Sequence, residues 1–164
     1  VDRCFDILLC ERAERLLLAS YEGYLLCLET NALPSSIAEA MRLNSTDHLT
    51  SAFLANSKKS ILIMTQIGKL VHWSANDLET GSFKTRGRSV FSNQRREQGI
   101  RVVGAAAVSE GDWCAGLHQD GQISVHAANE LFANGTLPTT SELIAFAAVS
   151  VPTPSQATPS KNTR

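Results

Sequence analysis

Nine basic residues lie between positions 58 and 101 (Lys58, Lys59, Lys69, Lys84, Arg86, Arg88, Arg95, Arg96 and Arg101), against three acidic ones, Asp77, Glu79 and Glu97. The rest of the chain holds six basic and thirteen acidic residues, so a net charge of −1 conceals a strongly cationic segment. A guanidinium presents parallel N–H donors that match two phosphate oxygens at once, and an ammonium supplies a point charge. The chemistry expected of this segment is the binding of a polyanion. Backbone amides at Gly87 and Gly99 fall among the arginines, where no side chain would hold a phosphate away.

Other chemistries find little support. The four histidines, His48, His72, His118 and His126, lack metal-ligand spacing and read as structural. The carboxylates are scattered, and no nucleophile elbow, P-loop or dinucleotide fingerprint is present. Cys4, Cys10, Cys27 and Cys114 have no paired spacing and read as reduced, mostly buried thiols. The expectation is a chain without catalytic site, metal, cofactor or small-molecule substrate. Tyr21 and Tyr24 flank one turn and read as packing residues; Trp73, with no aromatic stripe beside it, reads as filling an interface, which favours a duplex over a single strand.

The elements that must position the basic segment form an internal repeat. Three stretches, beginning at Gly23, Gly68 and Gly121 and ending at Leu33, Leu78 and Leu131, obey the ungapped pattern G-x-[LI]-x5-N-x-L. Upstream of each glycine lie two short apolar runs separated by a polar turn, as in Ala52 to Ala55 and Ile61 to Thr65. Runs of four to six residues bounded by Gly, Asn, Asp and Ser are strands rather than helices. One unit therefore reads strand, turn, strand, tight turn, strand. Glu22-Gly23 and Asp120-Gly121 suit hairpin turns, whereas Ile67-Gly68 is a poorer pair that rests on its alignment. Asn31, Asn76 and Asn129 read as strand-ending turn formers, and Leu33, Leu78 and Leu131 as plugs between units.

The fold class is all-β, with propeller-like blades: units at about 5–33, 50–78 and 103–131, a partial fourth at 142–151 announced by Ala147-Ala148-Val149-Ser150, and a Pro/Ser/Thr-rich tail at 152–164 that reads as disordered. One repeat domain over 1–151 is expected, in a cytoplasmic setting with no membrane segment. The connection after Leu78 is eight residues longer than its sibling and carries Lys84, Arg86, Arg88, Arg95 and Arg96, which makes it the place to look for function.

The segment 61–112 resembles one repeat of the C-terminal domain of type IIA topoisomerase A subunits, those of bacterial DNA gyrase and topoisomerase IV. The residues that carry the likeness are Thr65-x-x-Gly68, Leu78, Arg86-Gly87-Arg88, Gly99-Ile100-Arg101 and Glu110-Gly111-Asp112. Gln94-Arg95-Arg96-Glu97-Gln98-Gly99-Ile100 is similar to a degenerate form of the Gln-Arg-Arg-Gly-Gly-Lys-Gly gyrase box, keeping the first three residues but placing Glu97 and Ile100 where that box has glycines. The resemblance implies a β-pinwheel of four-stranded blades with duplex DNA on its outer rim, wrapped less tightly than gyrase wraps it. It also implies that strand cleavage belongs to a separate topoisomerase domain of the same polypeptide, not to this chain.

Two functions are thus carried forward. In the first, the chain binds duplex DNA through phosphate contacts from Arg86, Arg88, Arg95 and Arg96, supported by Lys58, Lys59, Lys69, Lys84 and Arg101. In the second, a propeller-type module offers the same arginines to an acidic protein surface and has no nucleic-acid role.

Overall fold

The computed structural model describes Leu8 and residues 14–149. Of the apolar run Ile7 to Cys10 only Leu8 is described, and the thiols Cys4 and Cys10 and the tail 152–164 lie outside the described residues. Among the described residues ten strands run β1 Arg15–Ser20, β2 Tyr24–Glu29, β3 Leu49–Ala55, β4 Ser60–Thr65, β5 Leu70–Ser74, β6 Arg88–Ser89, β7 Val102–Val108, β8 Trp113–His118, β9 Ile123–Ala127 and β10 Leu143–Val149. Two short helices, α1 Asn93–Glu97 and α2 Ala128–Asn134, interrupt them. The chain is all-β in class, built of small antiparallel sheets.

The strands form three sheets, ordered β3-β1-β2-β6, β5-β4-β7 and β10-β8-β9. Each is nucleated by a hairpin, β1-β2, β4-β5 or β8-β9, and completed by a strand from the next sequence repeat. Thus β3 pairs with β1 from Arg15↔Ala55 to Ser20↔Leu49, although the repeat pattern groups it with β4. In the same way β7 pairs with β4 and β10 with β8. The repeat 50–78 is therefore shared between two sheets, and the strand that opens the partial fourth unit closes the third sheet. This exchange links neighbouring sheets covalently in both directions, and the exchanged strands β3, β7 and β10 pack side by side.

All three hairpins turn alike. The N–H of Gly23 donates to the Ser20 carbonyl, that of Gly68 to Thr65 and that of Gly121 to His118, at 3.0, 3.0 and 2.9 Å. The glycines sit at φ +86°, +75° and +83°. Positive φ thus falls at the fourth turn position, as in a type I turn closed by a left-handed glycine. Ile67 occupies the third position, where φ is negative, so the Ile67-Gly68 pair is no poorer than its siblings.

Apolar clusters fill the spaces between sheets. Leu17, Ala19, Leu25 and Cys27 of the first sheet meet Ile61, Ile63, Val102 and Ala105 of the second. Leu62, Met64, Leu70 and Val108 meet Cys114, Leu143 and Phe146 of the third. Leu78 and Leu131 plug these two joints as expected, while Leu33 is half-buried. Asn76 lies in a turn of 3-10 helix and Asn129 opens α2, so a helical turn rather than a bare turn ends each outer strand. Gly135 at φ +64° stops α2 with a left-handed cap. Among the described residues no helix is long and apolar enough to cross a membrane.

Cys27 and Cys114 are buried free thiols. Burial pushes both thiols up, Cys114 to about 11, with the Asp112 carboxylate adding to its rise. At pH 8 the Cys114 thiolate fraction is then about one in a thousand, and iodoacetamide should leave it unmodified until the chain unfolds. Because an unfolded cysteine ionises near its ordinary value of 9.0, this group favours the folded state below pH 9 and loses that contribution as pH rises towards 11. Rapid native alkylation of Cys114 at pH 8, read by mass spectrometry, would contradict its burial.

Candidate nucleic-acid interface

The long connection that follows Leu78 is laid onto the first sheet. Gly81 N–H donates to the Cys27 carbonyl at 2.8 Å, Val90 N–H to Gly23 at 2.9 Å, and β6 pairs with β2 through Tyr24↔Ser89 and Leu25↔Arg88. Gly87, at φ +81°, lies so flat on β2 that a Cβ there would stand 2.5 Å from the Leu25 carbonyl oxygen. On its other side the connection meets the 40–42 segment. Lys84 N–H donates to Ala40, Arg42 N–H donates to Thr85, and Met41 bridges Thr85 in parallel. The basic connection is fixed in place before any ligand arrives.

Ser92 then caps α1, its hydroxyl accepting from Arg95 N–H, and Gly99 at φ +82° ends the turn. The degenerate box 94–100 begins inside this helix. Glu97 is a helical residue, and Ile100 packs against the first inter-sheet cluster.

The nine cations separate into three groups. Arg86, Arg96 and Arg101 fold back on the protein. The Tyr24 ring receives two guanidiniums, Arg86 at 4.4 Å and Arg96 at 4.6 Å from its centroid. Arg86 also faces the Glu22 carboxylate at 3.7 Å. Arg96 donates to the Glu22 carbonyl at 2.8 Å, Ser89 Oγ at 2.6 Å and Asn93 Oδ1 at 2.5 Å. Arg101 donates to the carbonyls of Arg96 and Ile100, and lies 5.8 Å from the Tyr21 ring centroid. These three arginines bind the connection to the β1-β2 hairpin, a structural duty that the sequence reading did not assign them.

A second group is exposed. Lys84, Arg88, Arg95 and Lys69 all present to solvent, Arg88 with its guanidinium 5.1 Å above Trp73. Stacking occupies the face of that group and leaves its N–H edge free. Lys69 and Arg95 line one recess of about 180 Å³ between the β4-β5 turn and α1, together with Ile67 and Gln98. Gln66 holds the turn to the far end of α1, donating to the Gly99 carbonyl at 2.7 Å and accepting from Arg101 N–H at 2.6 Å. A larger groove of about 630 Å³ runs between the connection and β2, lined by Arg86, Arg88, Thr80, Ser82 and Thr85, with Glu79 its acidic member.

Lys58 and Lys59 form the third group and do not join the others. They precede β4 while Lys69 follows it, so a six-residue strand, about 20 Å at 3.3 Å per residue, separates them. Lys59 is also neutralised, its Nζ 3.1 Å from Asp112 Oδ2, and that lysine helps hold the Asp112 carboxyl below its ordinary value after the larger effect of the Ser109 N–H. Arg42 was missed by the sequence reading. It lies in the acidic part of the chain, is exposed, and reaches the interface only because its backbone bonds Thr85; nothing local in the sequence signals that pairing. Among the described residues no group of three His, Cys, Asp or Glu could hold a metal ion.

Three sheets completed by exchanged strands, with a basic connector across an outer strand, define the β-pinwheel architecture. The solved C-terminal domain of DNA topoisomerase IV superposes with a TM-score of 0.69 at 17% identity, over 88% of this chain and 49% of that one. The E. coli ParC C-terminal domain superposes with a TM-score of 0.65 at 17% identity, over 88% and 64%. The DNA gyrase A C-terminal domain gives 0.48 at 12% identity, over 84% and 66%. The chain therefore spans about half to two thirds of the domains it resembles, and at these identities the likeness establishes the fold. No family model and no curated protein matches the sequence.

Proposed function

We propose that this chain binds duplex DNA without reading its sequence, through phosphate contacts from Arg42, Lys69, Lys84, Arg88 and Arg95. The observation that carries this reading is the division of labour among the cations: half-buried Arg86, Arg96 and Arg101 fix the connector, and five exposed cations project from it or stand beside it. Because the backbone that carries them is already fixed, the ordering cost of meeting a phosphate backbone is confined to their side chains. The fold supports the same reading, since the similar solved domains belong to topoisomerases that act on DNA. Catalysis has no place in the proposal. The worn box, with Glu97 in α1 and Ile100 half-buried against the first inter-sheet cluster, fits binding rather than tight wrapping.

Replacing Arg95 and Lys69 together by alanine should weaken binding to any duplex about 10-fold or more at low salt, equally for unrelated sequences, because only phosphate contacts are removed. Fluorescence anisotropy with two unrelated duplexes reads this. An unchanged affinity, or a loss confined to one sequence, would overturn the assignment; tight binding to polyglutamate with none to DNA would favour an acidic protein partner instead.

A further inference from the structure

The three hairpin turns share two equivalent positions whose charge changes along the molecule. The N–H groups of Tyr21, Gln66 and Gln119 donate to the carbonyls of His48, Arg101 and Glu142, at 2.8, 3.1 and 2.8 Å, which makes these three pairs equivalent. The residue after each donor stands at the third turn position: Glu22, Ile67 and Asp120. The first turn thus brings together Glu22 and His48, the second Ile67 and Arg101, and the third Asp120 and Glu142. Glu22 is compensated by Arg86 at 3.7 Å. Asp120 and Glu142 are exposed, and among the described residues neither has a cation in ion-pair contact.

The surrounding sequence does nothing to offset them. Residues 102–149 hold five carboxylates, Glu110, Asp112, Asp120, Glu130 and Glu142, and no lysine or arginine. The ion pair of Asp112 with Lys59 lies at the far end of β8. Asp120 Oδ1 accepts from Gln122 N–H at 3.1 Å, which holds that carboxylate at the turn. Glu142 borders the second sheet: the N–H of the next residue, Leu143, donates to the Gln66 carbonyl at 2.8 Å, in the same turn that Lys69 follows. The two carboxylates therefore begin where the exposed cations end.

We propose that Asp120 and Glu142 act as an electrostatic stop, which confines a bound duplex to the first and second sheets and turns it away from the third. This inference rests on the duplex reading above. Arg42, Lys84 and Arg88 stand on or beside the connector over the first sheet, and Lys69 and Arg95 at the turn of the second. A duplex lying on these five cations and continued in the same direction meets the third turn next. Packed sheets are about 10 Å apart, and the Debye length at 0.1 M salt is also about 10 Å, so phosphates at that turn are only partly screened from the carboxylates. Like charges brought together in this way cost affinity and exclude one path in favour of another. Asp120 and Glu142 thereby set the length of the contact, while the cations set its strength.

Asp120→Asn with Glu142→Gln removes both charges and keeps an acceptor oxygen for Gln122 N–H. This pair should raise duplex affinity about 3-fold or more at low salt, read by fluorescence anisotropy, and the gain should fade as salt is raised. Asp120→Lys with Glu142→Lys should add two phosphate contacts, raising affinity about 10-fold or more and steepening the salt slope by about −1.8. Glu110→Lys with Glu130→Lys is the control. It changes the net charge by the same amount at the other end of the six-residue β8, about 20 Å away, and should leave the slope as it is in the parent. If the parent binds duplex but the neutral pair gains nothing, or the control pair steepens the slope as much as the 120/142 lysine pair, the stop is overturned and the duplex reading stands. A parent that binds no duplex at low salt overturns that reading and the stop with it. Should the lysine pair fail to fold, the neutral pair decides by itself.

Discussion

Arg96→Ala is expected to destabilise the fold by about 2–3 kcal/mol, while Arg95→Ala, one residue away, leaves stability within about 0.5 kcal/mol of the parent. Consecutive residues on a helix point about 100° apart, so α1 turns one guanidinium into the protein and the other out. Arg96 donates to the Glu22 carbonyl, Ser89 Oγ and Asn93 Oδ1, and stacks on Tyr24 and, at 5.6 Å, on Phe91. Its removal leaves the Glu22 carbonyl short of a charged donor and frees α1 from the β1-β2 hairpin. Bonds from a charged donor contribute about 1.5–3 kcal/mol each when desolvated, and Arg96 is half-exposed, which keeps the total near the value of one such bond. Thermal unfolding followed by circular dichroism should show a melting temperature lower by roughly 5–10 °C for Arg96→Ala. Equal melting temperatures for both variants would contradict the inward placement of Arg96.

Gly104→Ala should be more damaging still, costing about 3 kcal/mol or more. Gly104 stands in β7 where β10 crosses closest, and a Cβ there would fall 2.1 Å from the Phe146 carbonyl oxygen and 2.9 Å from its carbonyl carbon and its nitrogen. Those atoms are backbone, so no side-chain rotation relieves the clash; the second and third sheets must separate, opening the cluster of Leu62, Met64, Leu143 and Phe146. Gly121→Ala is the control. A Cβ at Gly121 meets nothing within 4 Å, so its cost is that of positive φ alone, about 1 kcal/mol. Urea unfolding of both variants separates the two costs, and a Gly104→Ala chain as stable as Gly121→Ala would refute the close approach of β7 and β10.

The repeat made most strands legible. Apolar runs bounded by turn residues fall on β1, β3, β4, β7 and β8, and the three glycines fall at the hairpins. Which neighbour a strand pairs with was not legible, because β3 carries the same apolar pattern whether it joins β1 or β4, and only the packing of a following sheet decides. The helix α1 was hidden for another reason: five residues are too few to show a 3.6-residue period, and Ser92 and Gly99, its boundaries, read equally well as loop residues. The basic segment was visible as composition, but not its division. Arg86 and Arg88 have similar local surroundings in sequence, each between a hydroxyl residue and Gly87; Tyr24 and Glu22, some sixty residues away, hold the first, and Trp73 flanks the second. Lys59 was drawn away by Asp112, and Arg42 was brought in by Thr85, both through long-range contacts that no local pattern announces.

The proposal of a phosphate-binding surface on an anchored connector is tested most directly by the salt dependence of duplex binding. With four to five exposed cations engaged, the logarithm of the affinity should fall against the logarithm of the salt concentration with a slope of about −4, at roughly −0.9 per phosphate. The Arg95→Ala, Lys69→Ala double variant should bring that slope to about −2, since two phosphate contacts are lost. No binding at low salt, or a slope that the double variant leaves unchanged, would contradict the account.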